Sequence, residues 1–337
     1  MPFAALITLL AGLAAPAPVP AVGWTTLGTA GGPVVFAERS QPANLLTVGN
    51  DDMLVDCGDG CVERLAAAGV TAAQIDTVFV SHLHQDHVAG LAGLIGLRWM
   101  QGAGRPLTIY GPPGTDAMVR SIVQSIEPSA RIGLPGGRRS PLALDGMVHV
   151  VTLTSGADVT VHSIRVRAVR NTHFDENGVP PDNGTQSLSY RFDIGDAAIG
   201  FTGDTGPSDA VTRLFEGVGL IVSEAADLKS AAAAIDAPGS PVPVAARAGL
   251  LRHIEDHHLT PEQAGRMAAA DHARCLVLTH LSISTPTAEV APRLTTEAHA
   301  TFPRQVFVAH DLDRFVVPDA GASCLASPAK AAPAKPS

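Results

Sequence analysis

Between Ser81 and His87 the chain reads Ser-His-Leu-His-Gln-Asp-His, and the apolar stretch Ile75 to Val80 runs straight into it. Three imidazoles and a carboxylate at the exit of a buried strand limit what the chain can become, because the fold must deliver that strand end to a place where the groups find a partner. His82 and His84 stand two apart in an extended segment, so they point the same way and can grip one ion. Asp86 and His87 follow as the chain turns and can reach a second. The bland alternative is a polar surface loop, which gives no reason for so many imidazoles at this spacing. Metal binding is the expected chemistry.

Composition sets the frame around that motif. The chain has 337 residues, 46% hydrophobic and 16% charged, enough apolar material for a large core in one large or two ordinary domains. The formal net charge is -9, and Arg138-Arg139 is the nearest approach to a basic cluster, so affinity for nucleic-acid backbones is not expected. The uncharged run Phe3 to Ala15 is shorter than the roughly 20 residues that span a bilayer, and small residues follow it. It matches the apolar region of a secretory signal without the basic start, so residues 1–21 are read as a leader, cleaved between Ala15 and Ala21. The mature protein is then periplasmic or secreted, or cytoplasmic if the leader is no signal, and no stable membrane insertion is expected.

Cys57 and Cys61 are close enough to pair in an oxidising compartment, which the sequence leaves open, whereas Cys275 in its apolar run reads as a buried thiol. Residues 319–337, rich in Ala, Pro, Ser and Lys, read as a disordered tail.

Strands at Ala43 to Val48 and Met53 to Asp56, a helix at Val62 to Ala68, and the buried strand Ile75 to Val80 begin an alternation that indicates an α/β architecture. A helix near Gly90 to Met100, a strand at Leu107 to Tyr110 and a helix at Asp116 to Ile126 continue it, and Gly133 to Thr154 reads as loop and hairpin. In the second half apolar strands stop repeatedly at groups that bind metal or move protons. Val166 to Val169 leads to His173, Ala197 to Phe201 to Asp204, Leu220 to Val222 to Glu224, and Cys275 to Leu278 to His280. Buried strands of a common sheet would align these ends on one edge, where open α/β sheets hold their ligands. Thr260, Pro261 and Gln263 make a capping-box start for a helix reaching about Ala270, which places His258 on the loop entering it. Residues 226–252 form an insertion between Glu224 and His258, either a lid or a surface excursion. His149, His162, His253, His257, His272, His299 and His310 read as ordinary histidines.

From about Trp24 to Val317 this order of motifs resembles the metallo-β-lactamase superfamily, and within it the ribonuclease Z-like branch. The likeness is carried by Val-Asp-Cys-Gly-Asp-Gly ending at Gly60, the His82 to His87 motif, and Leu107-Thr-Ile-Tyr-Gly-Pro112. Thr172-His173, Phe201-Thr-Gly-Asp-Thr205, Ser223-Glu-Ala225, His258-Leu-Thr-Pro-Glu-Gln-Ala264 and Leu278-Thr-His-Leu281 complete it. The resemblance implies a four-layer αβ/βα sandwich over residues 22–318 with a dinuclear site. His82, His84 and His173 would hold one ion, Asp86, His87 and His280 the other, and Asp204 would bridge them. Zinc suits these ligands, and manganese or iron would accept them too. Two ions about 4 Å apart would turn a bridging water into hydroxide near neutral pH. His258, oriented by Glu224, would be the general acid, so the catalytic set is His258, Glu224 and Asp86.

The resemblance has a gap. The long tRNA-binding arm of bacterial and plant ribonucleases Z has no room between Ser187 and Asp204, so tRNA is not an expected partner. The expected activity is hydrolysis of a small ester, phosphodiester first, with a lactone, a sulfate ester of the arylsulfatase kind or another carboxylic ester as alternatives. An antibiotic-hydrolysing β-lactamase fits less well, since that group usually places Cys or Ser where Asp204 stands. A non-catalytic metal- or ligand-binding protein is the reading from another class, and a homodimer is left open.

Overall fold

Runs rich in Val, Ile, Leu and Phe recur along the chain. In the computed structural model, which describes residues 22–134, 140–240, 242–281, 287–317 and 324–328, they assemble into two mixed sheets. The expected leader at residues 1–21 lies outside the described residues. The strands are β1 (Val22–Gly28), β2 (Ala43–Val48), β3 (Asp51–Cys57), β4 (Thr77–Phe79), β5 (Leu107–Gly111), β6 (Val148–Thr152), β7 (Asp158–Val161) and β8 (Ile164–Arg170). They continue with β9 (Leu188–Ile194), β10 (Ala197–Phe201), β11 (Leu220–Ala225), β12 (Cys275–Leu281), β13 (Gln305–Val308), β14 (Asp313–Val317) and β15 (Leu325–Pro328). The helices are α1 (Cys61–Ala67), α2 (Gln85–Val88), α3 (Leu91–Gln101), α4 (Thr115–Ile132), α5 (Asp209–Phe215), α6 (Leu228–Asp236), α7 (Val244–His257), α8 (Pro261–Ala270) and α9 (Thr287–His299).

One sheet runs β15-β14-β1-β2-β3-β4-β5-β6 and the other β13-β12-β11-β10-β9-β8-β7. Their facing sides share a core in which Trp24, Met53 and Phe79 of the first meet Tyr190, Phe192 and Phe201 of the second. On the outer side of the first sheet Leu54, Val78 and Ile109 pack with Leu65 of α1, Leu94 of α3 and Val119 of α4. On that of the second, Ile221, Leu276 and Leu278 pack with Phe215 of α5, Ala268 of α8 and Leu294 of α9. Helix, sheet, sheet, helix is the expected αβ/βα sandwich.

Strand direction decides where the site can form. β3 to β6 are mutually parallel, as are β10 to β13. β8 and β10 each pair antiparallel with β9, so two reversals return β8 to the direction of β10. The segments after β4, β8, β10, β11 and β12 therefore leave the sandwich at related edges. Phe79 stacks on Tyr110 at 4.8 Å between ring centres and meets Tyr190 and Phe192 edge-on. The Tyr190 hydroxyl donates to the Val80 carbonyl at 2.6 Å, tying the second sheet to the first immediately before the His motif. Such a bond is worth about 1 kcal/mol net, and leaving the carbonyl unpaired would cost about 1–3.

Three local expectations need correction. Val148–Thr152 is not a hairpin arm but a parallel edge strand beside β5, and the hairpin lies just beyond it in β7 and β8. Cys275 is not a lone thiol: it pairs with Cys324, with Cα atoms 6.3 Å apart, and Cys57 pairs with Cys61 at 5.4 Å. Within the segment read as a disordered tail from residue 319, Leu325–Pro328 adds a strand to β14, because that disulfide pins the chain beside the sheet where composition alone supplies little to bury.

Asp271, just after α8, is 1% exposed and its Oδ2 has no hydrogen-bond partner. Burial and then the charge of Glu216 push its carboxyl up to about 7, against the pull of Arg191. The folded state therefore holds a proton that the unfolded chain releases near pH 4, and this group's contribution falls as pH rises from about 4 to about 7. Asp271→Asn should raise the melting temperature at pH 8 and have little effect at pH 4; an equal effect at both pH values would show that the carboxyl is ionised in the fold throughout.

Candidate metal centre

His82 and His84 leave β4 on the extended segment before α2, and His84 is the residue on which that helix starts. α2 then sets Asp86 and His87 in its first turn. His173 follows β8, Asp204 follows β10 through the Thr202-Gly203 turn, and His280 is the penultimate residue of β12. Gly203 has φ +57, and a Cβ there would lie 2.9 Å from that of Ser81, so the turn that aims Asp204 requires glycine. Asp56 and His280 also have positive φ, 58 and 48, conformations uncommon for side-chain-bearing residues.

The structure brings all seven expected ligands together. Nδ1 of His84 is 3.1 Å from Nε2 of His82 and 3.1 Å from Nε2 of His173. Asp204 lies between the two groups of histidines. Its Oδ1 is 3.3 Å from His87 Nε2, and its Oδ2 is 3.2 Å from His280 Nε2 and 3.9 Å from Nε2 of both His82 and His173. Asp86 Oδ2 is 3.4 Å from His280 Nε2 and 3.6 Å from His87 Nε2. It also accepts the Gly32 N–H at 2.9 Å, an approach that a Cβ on Gly32 would block.

The outward nitrogens explain why the inward ones are available. His173 Nδ1 donates to the His257 carbonyl at 3.0 Å, and His87 Nδ1 donates to Asp56 Oδ2 at 2.8 Å. Ser81 Oγ gives its proton to Asp56 at 2.8 Å and accepts from His82 Nδ1 at 3.0 Å. With each Nδ1 used as a donor, the Nε2 atoms of His82 and His173 turn lone pairs inward, whereas, against burial, the carboxylates of Asp204 and Asp56 hold His87 protonated well above its ordinary value, a proton whose place a bound cation would take. Burial pushes His173 down to about 3 and holds His82 well below its ordinary value, so both are neutral, the form that binds a cation. Burial alone would raise Asp86, yet the hydrogen bond from His280 and the charge of His87 hold it below the ordinary carboxylate range. His87 Nε2 and Asp204 Oδ1 are buried without any hydrogen bond. Converging lone pairs and unsatisfied buried oxygens are what divalent cations would satisfy, and the residues fit such ions.

Two groups stand beside this cluster. Glu224, on β11, accepts the Thr205 N–H at 2.5 Å through Oε1 and faces His258 Nδ1 at 2.6 Å through Oε2. His258 terminates α7, and two residues later the expected capping box of Thr260 and Gln263 starts α8. Burial works against protonation of His258, but the Glu224 carboxylate outweighs it and pushes the imidazole up to about 9. The insertion at 226–252 forms α6 and most of α7, so its end delivers both His258 and the carbonyl that orients His173.

Sequence reasoning gave Asp56 no role, although it is fully buried and orients both His87 and Ser81. The available signal was an acidic residue ending an apolar strand. His257 and His253, read as ordinary, also lie beside the cluster.

Residues 24–225 match the family model described as "Anti-Pycsar protein Apyc1". A ribonuclease Z of Mycolicibacterium gilvum is 30% identical over 87% of this chain and 95% of its own. Among solved structures, the metallo-β-lactamase fold protein YhfI from Bacillus subtilis superposes with TM-score 0.64 at 20% identity, covering 88% of this chain and 99% of that one. The short form of human tRNase Z gives 0.61 at 22% identity, covering 88% and 99%.

Asp56→Asn should weaken metal affinity about 10–100-fold by loosening the His87 and Ser81 bonds, read by competition against a chromogenic chelator. Unchanged affinity would show that the outward bonds do not hold the ligands.

Proposed function

Because the chain belongs to the metallo-β-lactamase-fold hydrolases related to ribonuclease Z, and matches the anti-Pycsar family over more than half its length, we propose that it hydrolyses a small phosphodiester. The observation that carries this reading is the His258–Glu224 pair at 2.6 Å beside a cluster of ligands fit for divalent cations. In the proposed site His82, His84 and His173 would hold one ion and Asp86, His87 and His280 a second, with Asp204 within reach of both sets. Zinc is the preferred metal for this imidazole-rich set. Bound there, the ions would ionise a water near neutral pH and offset the charge of an anionic transition state.

The chain's own groups supply the remaining steps. Glu224 accepts from Nδ1 of His258, which leaves the Nε2 proton for the departing oxygen and keeps the ring protonated through neutral pH. Thr205 N–H fixes the far oxygen of Glu224, so the carboxylate cannot swing away from the imidazole. His257, through its carbonyl, fixes the His173 ring while the next residue presents the acid, so ligand and acid share one support.

A small substrate is favoured over a structured RNA by the connection between β9 and β10. It is a hairpin turn at Gly195 and Asp196, where the resemblance called for an RNA-binding arm. The net charge of -9 argues the same way. The relatives named ribonuclease Z supply the second reading, cleavage of RNA. The cysteine pairs Cys57–Cys61 and Cys275–Cys324 support the proposal of an exported protein, since disulfides persist in oxidising compartments.

Zinc-loaded protein should hydrolyse bis(p-nitrophenyl) phosphate faster than chromogenic lactones, aryl sulfates or aryl esters. Preference for one of those, or turnover only of a precursor tRNA, would refute the small-phosphodiester reading, and no turnover on any would favour a binding protein. His258→Ala should keep its metal and slow kcat about 10²–10⁴-fold, most for poor leaving groups. Since the acid form is lost as pH rises, Glu224→Gln should move the alkaline limb of kcat to lower pH; an unmoved limb would show that Glu224 does not tune His258.

A further inference from the structure

Beside the central cluster, Glu176, His253 and His257 bring one ligand atom each to within 4.8 Å of one another. The three come from two elements, the C-terminal end of α7 and the loop after His173, which the His173–His257 hydrogen bond already brings together. His253 and His257 are four apart on the last turns of α7, with ring centres 4.2 Å apart, the spacing by which one helix face offers two imidazoles to a single ion. Glu176 stands on the loop that follows His173, where paired backbone hydrogen bonds with Val179, both 3.0 Å, hold it in a tight turn. The preceding Asp175 is anchored by Arg170, so this loop has a fixed base.

A second observation points to a missing partner. His257 is 5% exposed, yet its Nδ1 has no hydrogen-bond partner, a costly state for a buried imidazole. A helix C-terminus adds negative potential at this end of α7, which favours a cation. An acid at a surface is ordinary, but two imidazoles and a carboxylate with one nitrogen buried and unsatisfied are not.

We propose that Glu176, His253 and His257 form a further cation site, distinct from the central pair, that takes a zinc-like divalent ion and fastens the α7 insertion to the loop carrying His173. Imidazole ligands select zinc, cobalt or nickel over magnesium or calcium, and three protein groups leave a position for water. The site is structural. Its ion clamps the two segments already joined by the His173–His257 hydrogen bond, so it steadies the support from which His258 is presented.

The test is metal stoichiometry by elemental analysis after zinc loading and gel filtration of the full chain, wild type against His253→Ala and Glu176→Gln. Both changed residues are exposed, so the fold should tolerate them. The wild type should retain one zinc more than His253→Ala, and Glu176→Gln should weaken that same ion at least tenfold. The zinc-induced rise in melting temperature should be smaller in both variants. The difference of one equivalent is independent of how many ions the central cluster holds, so failure here is separable from failure of the proposed activity. Equal stoichiometry in wild type and His253→Ala would overturn the site, as would loss of ions from the central cluster in that variant.

Discussion

A buried carboxylate surrounded by imidazoles governs this molecule. Asp204 is 3% exposed and lies within 3.9 Å of ring nitrogens of His82, His87, His173 and His280. Removing one such charge from water costs several kcal/mol unless partners compensate, and the partners come from strand ends distant in sequence. The sandwich makes this possible by running β4, β10, β11 and β12 out at related edges, while two antiparallel steps through β9 bring β8 there as well. The Tyr190–Val80 hydrogen bond and the stacked aromatic core hold the two sheets in register just beneath the cluster.

Much of this was legible in the sequence because burial and chemistry coincide at strand ends. An apolar run such as Ala197 to Phe201 that stops at Thr-Gly-Asp is a strong local signal, and the capping box at Thr260 and Gln263 fixed the start of α8. The same logic did not reach Asp56, whose role depends on ring nitrogens that only the fold brings near it. Nor did it reach His253 and His257, since a helical pair gains meaning only when Glu176 arrives from another loop. Cys275 and Cys324 are 49 residues apart and join β12 to the residue just before β15, in different sheets, so no local spacing signals their pairing. The Ala- and Pro-rich tail looked unable to form structure because composition does not register that tether.

The insertion after Glu224 runs from the body of the sandwich to the His258–Glu224 pair. α6 is tied back to the body by Asp227, which caps it and accepts from Arg293 of α9. α7 then ends at the site, where consecutive residues perform two tasks: the His257 carbonyl orients His173, and His258 faces Glu224. Where the resemblance called for an arm to hold a large RNA, the β9–β10 hairpin closes in a turn. The chain's extra length thus lies in α6 and α7 beside His258 and Glu224, while the β9–β10 connection stays short.

The central claim is that seven side chains from both halves of the chain, His82, His84, Asp86, His87, His173, Asp204 and His280, enclose a pair of divalent ions. Anomalous diffraction at the zinc edge from crystals of the zinc-loaded protein tests it most directly. Two peaks among those side chains, with Asp204 in reach of both, are the expected result. A single peak that Asp204 does not touch, or none within that cluster, would contradict it.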